Sequence, residues 1–295
     1  MHKLIFMQYL IYLLVYPIFW CVSILPFRLL YLFSDFIYLI VYYIIQYRKK
    51  TVRENLAIAL PNLSDKERFI IEKKFYHHMC DIFLEMIKTM TISKEEICKR
   101  YVFKNFEVYK ELEKQEKSVA LMCAHYASYE WAVSMNFHAT FKGYGIYKQI
   151  SNPYFDKLVH TIRSKFEAKL ITTKETIPTI INNNRDNKLA VYGFASDQSP
   201  KQNTAYHYST FMGVEVPVHT GAEMLAKRYN MNVIFLKTKK VKRGYYEGRF
   251  EILSEDASKV PNYDITDYFL KLVEEQIHEA PEYYLWTHKR WKYSR

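Results

Sequence analysis

From Leu4 to Leu25 the chain runs LIFMQYLIYLLVYPIFWCVSIL, 22 residues without a charge. At about 1.5 Å per residue, a helix of that length crosses a hydrocarbon core of roughly 30 Å. Pro17 is tolerable inside a spanning helix, although it can kink it. A cleaved leader would need a basic start, a shorter apolar stretch and a small-residue cleavage site. Here only His2 and Lys3 offer a basic start, and nothing like A-x-A follows. The pattern therefore predicts an uncleaved N-terminal transmembrane helix. A second apolar run, Leu29 to Tyr47, is broken by Asp35 and a few polar residues. Its pattern leaves three arrangements open: spanning, lying in the interface, or packing on the body of the protein. Arg48, Lys49, Lys50 and Arg53 come directly after it, against a nearly uncharged start. That positive-inside bias predicts a cytoplasmic remainder. The same cluster would attract anionic headgroups at about 1 kcal/mol per basic residue near the surface.

Beyond this membrane segment of residues 1–50 the period changes. Residues 52–60 and 64–90 read as helices, the second opened by Ser64 with Glu67 three positions on, a capping-box pattern. Phe69, Phe75, Met79, Ile82, Phe83 and Met86 fall near helical spacing and read as a core face. Short apolar runs then alternate with helical stretches. Strands are predicted at Ser118–Cys123, Gly145–Ile150, Lys169–Thr172, Lys188–Phe194, Asn232–Thr238 and Gly248–Leu253. Helices are predicted in YEWAVSMNFHA, from Pro153 (with Asn152 as N-cap), at Ile177–Asn184, Ala222–Tyr229 and Asp264–Glu279. No Gly/Ser linker, low-complexity tract or repeat intervenes, so residues 51–295 are expected to form one domain. Alternating strands and helices imply an α/β fold with a mixed, mostly parallel central sheet flanked by helices. In such sheets ligands gather beyond the carboxyl ends of strands.

Composition sharpens this picture in three ways. Hydrophobic residues make up 49% of the 295, which supports a sizeable core and excludes global disorder. The 27 Tyr and 19 Phe include a concentration in the first fifty residues, where amphipathic rings suit a membrane–water boundary. The net charge of +11 fits an acidic partner, and the apolar N-terminus favours lipid. The basic residues are dispersed and no recognition motif stands out, so nucleic acid is not the expected partner. Cys21, Cys80, Cys98 and Cys123 show neither a CxxC pair nor metal spacing, as in a reduced, cytosol-facing protein.

The chemistry-bearing feature follows the first strand: Ala124, His125, Tyr126, Ala127, Ser128, Tyr129, Glu130. On one continuous helix His125 and Glu130 would stand about 140° apart. Across a strand-to-helix turn they can face each other. Glu130 would then hold one imidazole nitrogen, leaving the other to take a proton from a hydroxyl. The competing reading is a strand-end His beside an unrelated surface Glu. HExxH, GxSxG, the Walker A loop and the dinucleotide fingerprint are all absent. His77 and His78, with Asp81 and Glu85 nearby, read as a partly exposed helix face rather than a metal site.

HYASYE resembles the H-x4-[DE] signature of lysophospholipid-type acyltransferases. More of the chain is similar to the late-step lipid A biosynthesis acyltransferases, which add secondary acyl chains to the lipid A precursor. RKKTVRENLAIALPNLSDKER, IYKQISNPYFD with the later Arg163, SDQSP, FMGVEVPVHTGAEMLA and PEYYLWTHKRWK resemble that family's blocks in order. The resemblance implies a glycerolipid acyltransferase-like fold and no metal or cofactor. It implies His125 as general base and Glu130 as its orienter, with Lys148, Asn152, Arg163, Asp197, Gln198 and Arg290 as substrate-binding or site-shaping residues. It further implies acyl carrier protein or acyl-CoA as donor, a membrane glycolipid as acceptor, and a place at the bacterial inner membrane with the catalytic domain facing the cytoplasm. One departure concerns the acceptor: the family's Arg after Tyr is here Lys148, which keeps the charge but loses the bidentate fork. A lysophospholipid or aminolipid acceptor thus stays open, as does a membrane-docked binding protein without catalysis.

Overall fold

The computed structural model describes residues 2–295. The uncharged run forms helix α1, His2–Ile24, with Pro17 inside it. In its span Phe6–Ile24 only 11% of the residues are buried, so an apolar surface is left open rather than packed as a core helix. The second run forms α2, Phe27–Leu39, and continues as a wider π-type turn over Ile40–Ile45. It too is long and apolar enough to cross a membrane. Gln46 and Arg48, both at positive φ, turn the chain into α3, Lys49–Ala59.

Helix α4, Asp65–Lys88, begins with the expected capping box. The Glu67 N–H donates to Ser64 Oγ at 3.3 Å, and the Ser64 N–H donates to Glu67 Oε2 at 2.7 Å. Phe75, Met79 and Ile82 are buried as the spacing predicts, whereas Phe69 and Phe83 are exposed. A short helix α5, Lys94–Arg100, leads into strand β1, Tyr101–Phe103, and helix α6, Phe106–Lys114.

The alternating segment then builds the sheet. Strands β2 (Val119–Cys123), β3 (Lys142–Tyr147), β4 (Lys169–Thr172) and β5 (Ala190–Ala195) pair in parallel. Helices α7 (Pro153–Ser164) and α8 (Thr176–Arg185) connect them. A small antiparallel hairpin, β6 (Tyr208–Phe211) with β7 (Val214–Pro217), stands apart as its own sheet. Helix α9 (Gly221–Arg228) precedes the long hairpin β8 (Asn232–Lys242) and β9 (Tyr245–Ser254), and α10 (Asp264–Glu279) closes the body. The seven strands lie in the order β1-β9-β8-β2-β5-β3-β4. Every pairing is parallel except β8 with β9, so the sheet is mixed and mostly parallel.

Strand periodicity explains why both faces are covered. On β2, Ala120 and Met122 enter the larger core, while Val119 and Leu121 enter the smaller one under α6. Val233 and Phe235 against Ile234 and Leu236 repeat this split on β8. Successive side chains point to opposite faces, so an unbroken apolar run signals a strand buried on both sides.

The stretch YEWAVSMNFHA, expected as an α-helix, is instead a 3-10 helix over Trp131–Phe137. A side chain competes for its ladder: Asn136 Nδ2 donates to the Val133 carbonyl at 2.7 Å, the acceptor an α-helix would offer to Phe137.

Candidate active site

β2 and β5 are central neighbours, and their last paired residues are Cys123 and Ala195. His125 and Asp197 therefore each stand two residues past the same rung of the ladder. The Ser196 N–H donates to the Cys123 carbonyl at 3.2 Å and carries the pairing one step further. Asp197, only 1% exposed, accepts the His125 backbone N–H at 3.1 Å and lies 2.7 Å from His125 Nδ1. An ionised Asp197 makes Nδ1 the protonated, donating nitrogen, so Nε2 carries the lone pair.

The loop that presents His125 is bracketed by the C-terminal segment. Ala127 takes a positive φ and donates its N–H to the Tyr283 carbonyl at 2.9 Å. The Leu285 N–H donates to the His125 carbonyl at 3.1 Å, and Tyr126 bridges Tyr284 in antiparallel fashion. Asn55 of α3 in turn donates to the Trp286 and His288 carbonyls, both at 2.7 Å. Arg48 donates to the Thr287 carbonyl at 2.9 Å. The Tyr129 ring meets the imidazole edge-on, 5.0 Å between centroids. These contacts fix the ring plane as well as the tautomer.

Glu130 is bonded to Arg163 rather than to the imidazole. Arg163 Nε donates to Glu130 Oε2 at 2.7 Å, and Nη2 donates to Oε1, a two-pronged pair across to α7. The physical reason lies in the backbone. Glu130 leaves the loop at the entry to the 3-10 helix, facing α7, while the position beside Nδ1 is already taken by the strand-end carboxylate in register. The orienting contact expected of Glu130 is thus made by Asp197, and Glu130 stays near enough to act on His125 through space.

Opposing influences set the proton affinity of the pair. Burial pushes the imidazole down, but the Asp197 charge and hydrogen bond, with Glu130 behind them, outweigh it and raise His125 above its ordinary 6.5. Burial would raise Asp197, yet His125 and the backbone donors hold it below the usual carboxylate range. His288, mainly through burial, is pushed down to about 4, which suits its Nε2 accepting the Ser199 N–H at 3.3 Å.

The other residues anticipated from the sequence take varied positions. Asn152 caps α7 by accepting the Tyr154 and Phe155 N–H groups at 3.0 and 3.4 Å. Lys148 is exposed, one residue past β3. Gln198 is half-buried beside Asp197. Arg290 is 1% exposed and faces the protein instead of an open surface: its Nη1 donates to Ser199 Oγ at 2.8 Å and to the Pro217 carbonyl at 3.0 Å, and its fork lies over Phe211. Sequence reasoning missed the roles of Asn55, Tyr129 and Ser199. The sequence signal for the His125–Asp197 pair is that each follows a predicted strand within two or three residues; the offsets become equal only because β5 runs on to Ala195.

A model of the family described as bacterial lipid A biosynthesis acyltransferase matches residues 1–293. The lipid A biosynthesis lauroyltransferase of Escherichia coli (strain K12) is 21% identical over 246 residues, which cover 83% of this chain and 79% of that protein. The lipid A biosynthesis acyltransferase 2 of Shigella flexneri is 23% identical over 154 residues, 52% of this chain and 48% of that protein.

Proposed function

Since the chain belongs to the bacterial lipid A biosynthesis acyltransferase family, we propose that it moves a fatty acyl group from the thioester of acyl carrier protein, or of acyl-CoA, to a hydroxyl of a lipid A precursor or related glycolipid. The observation that supports this reading best is an imidazole whose Nδ1 is engaged by a buried carboxylate at 2.7 Å, at the carboxyl end of the central parallel strands. Residues 1–50 serve as the membrane segment and residues 51–295 as the catalytic body, on the cytoplasmic face of the inner membrane.

In this mechanism His125 Nε2 accepts the acceptor's hydroxyl proton as the oxygen attacks the thioester carbonyl. A carbon–oxygen bond forms, the tetrahedral intermediate collapses, the carbon–sulfur bond breaks, and the proton passes from His125 to the departing thiolate. Asp197 stabilises the imidazolium that forms in between, and the C-terminal bracket keeps the ring aimed. Glu130, clamped by Arg163, adds negative potential to the site and fixes α7 against the catalytic loop. Lys148, exposed past β3, is a cation available to an acceptor phosphate as a point charge rather than a fork.

The test is mass spectrometry of total lipids from cells carrying the wild-type gene, its deletion, or His125→Ala. Loss of one acyl chain from lipid A in the deletion and in His125→Ala is expected. Unchanged lipid A with an altered lysophospholipid or aminolipid would replace the acceptor while keeping the chemistry. A His125→Ala variant that restores wild-type lipids would leave only a non-catalytic binding role.

A further inference from the structure

Both apolar N-terminal units are long enough to cross a bilayer, yet they meet the body in different ways. The α1 helix touches the first turn of α7 through aromatic rings, Tyr9 and Tyr12 against Tyr154 and Tyr12 and Phe19 against Phe155, and its hydrogen bonds to α4 fall at its C-terminal end. Lys88 Nζ donates to the Ser23 and Leu25 carbonyls at 2.7 and 2.8 Å, and Val22 packs with Leu84 and Ile87. The α2 unit is held along its whole length. Tyr31 donates to Glu85 at 2.8 Å, Ser34 to Asp81 at 2.8 Å, and Tyr42 to Glu72 at 2.9 Å. The partners run in opposite order along the two helices, so α2 with its π-type turn lies antiparallel to α4.

Arg243, from the β8–β9 turn, locks this arrangement by donating to both Asp35 and Asp81 at 2.6 Å. The same turn carries Gly244 at φ +72, where a Cβ would fall 1.9 Å from the Tyr31 hydroxyl. Only glycine lets the hairpin come that close to α2.

This docking decides what α2 can do. Were it to cross a bilayer, the stretch of α4 from Glu72 to Glu85 would have to cross beside it. That stretch brings Lys73, Lys74, His77, His78 and Asp81 as well, and Phe75 and Met79 on it belong to the main core. The outward side of α2 has a different chemistry. Leu29, Leu32, Phe36, Leu39 and Tyr43 recur at intervals of three and four residues, and each is at least half exposed. Exposed cations flank this stripe, Arg28 at one end and Arg48 and Lys50 at the other. An apolar stripe with cations at its rim fits the headgroup–acyl boundary of an anionic bilayer.

We propose that residues 27–45 lie in the plane of the membrane, with this stripe in the lipid interface, and that α1 alone crosses. The in-plane unit reaches the active site directly. Just past its end, Arg48 holds the Thr287 carbonyl of the segment that brackets His125. The bilayer surface thereby sets the height at which the catalytic loop meets a lipid acceptor. The proposal rests on the membrane association of the chain and not on the acyl-transfer chemistry.

The experiment uses the full chain with its four native cysteines replaced, reconstituted in vesicles containing phosphatidylglycerol. Single cysteines at Leu29→Cys, Phe36→Cys and Tyr43→Cys carry spin labels, and their depths are read by power saturation. All three positions are exposed, so labelling spares the core. Equal, shallow depths are expected, within roughly 5–10 Å of the headgroup boundary. A label at 36 near the bilayer centre, with 29 and 43 near opposite surfaces, overturns the proposal, and so does full exposure of all three to water. A second readout is side-specific labelling of Lys3→Cys and Lys201→Cys in intact cells and inverted vesicles with a membrane-impermeant thiol reagent. One crossing puts the two on opposite sides, whereas labelling from the same side excludes it. No acyl transfer by the wild-type chain, with these depths observed, would count against the proposed function and leave this topology standing.

Discussion

His125 works between a carboxylate that raises its proton affinity and a burial that lowers it. Because its folded value lies above the ordinary 6.5, catalysis by the neutral ring should climb through a limb centred above that pH. The same ion pair contributes stability in the other direction: fully present below 6.5, and lost as pH rises through the folded value. The rate–pH profile of acyl transfer checks the first statement. Asp197→Asn should lower kcat by about 10²–10⁴-fold, the usual worth of positioned base catalysis, and move the limb to lower pH. An Asp197→Asn profile with an unmoved limb would show that Asp197 is not what raises His125. Glu130 and Arg163 form one unit, so Glu130→Gln and Arg163→Met should each reduce activity, and the double variant should lose little more than either alone. Additive losses in that cycle would assign the two side chains to separate tasks.

At the scale of elements, the site is a product of register. β2 and β5 end on the same rung, and that alignment delivers one side chain from each to a common point. The third contributor is the C-terminal segment, tied to the catalytic loop through backbone bonds and to α3 through Asn55. Asn55→Ala removes one buried and one part-buried donated bond and leaves the Trp286 carbonyl without its side-chain donor, while the His288 carbonyl keeps the Arg290 N–H, at a cost of about 1–3 kcal/mol. A lower melting temperature is expected together with a fall in kcat, because the bracket that aims His125 loosens. Differential scanning fluorimetry beside steady-state kinetics measures both. Much of this layer was legible beforehand: the two strands, the capping box at Ser64 and the Asn152 cap with Pro153 follow from local patterns. The small β1 strand, α5 and the β6–β7 hairpin are too short to show a clear period, and α6 was missed although Phe106, Tyr109 and Leu112 give it one. YEWAVSMNFHA carried a helical period, but Asn136 withdraws a carbonyl from its ladder.

Across the whole molecule, the charged cluster of Asp35, Asp81, Arg243 and Lys240 joins the second apolar unit to α4 and to the far hairpin. Arg243→Ala should destabilise the protein by about 2–3 kcal/mol, below the full worth of a buried pair because Arg243 is itself partly exposed and Lys240 remains 3.6 Å from Asp81. Faster proteolysis near Gln46–Arg48 with α1 still membrane-bound is the expected sign. The chain's apolar pattern by itself determined that there are two membrane-competent N-terminal stretches, an α/β body and a His at a strand end, because length, period and charge are local properties. It did not determine which carboxylate holds that His, since Asp197 lies 72 positions away and is brought in only by strand pairing. Nor did it determine how the second apolar stretch lies. Length and hydropathy treat both stretches alike, and what differs is a tertiary contact: the second stretch is hydrogen-bonded along its length to the acidic side chains of α4, whereas the first bonds to α4 only at its end.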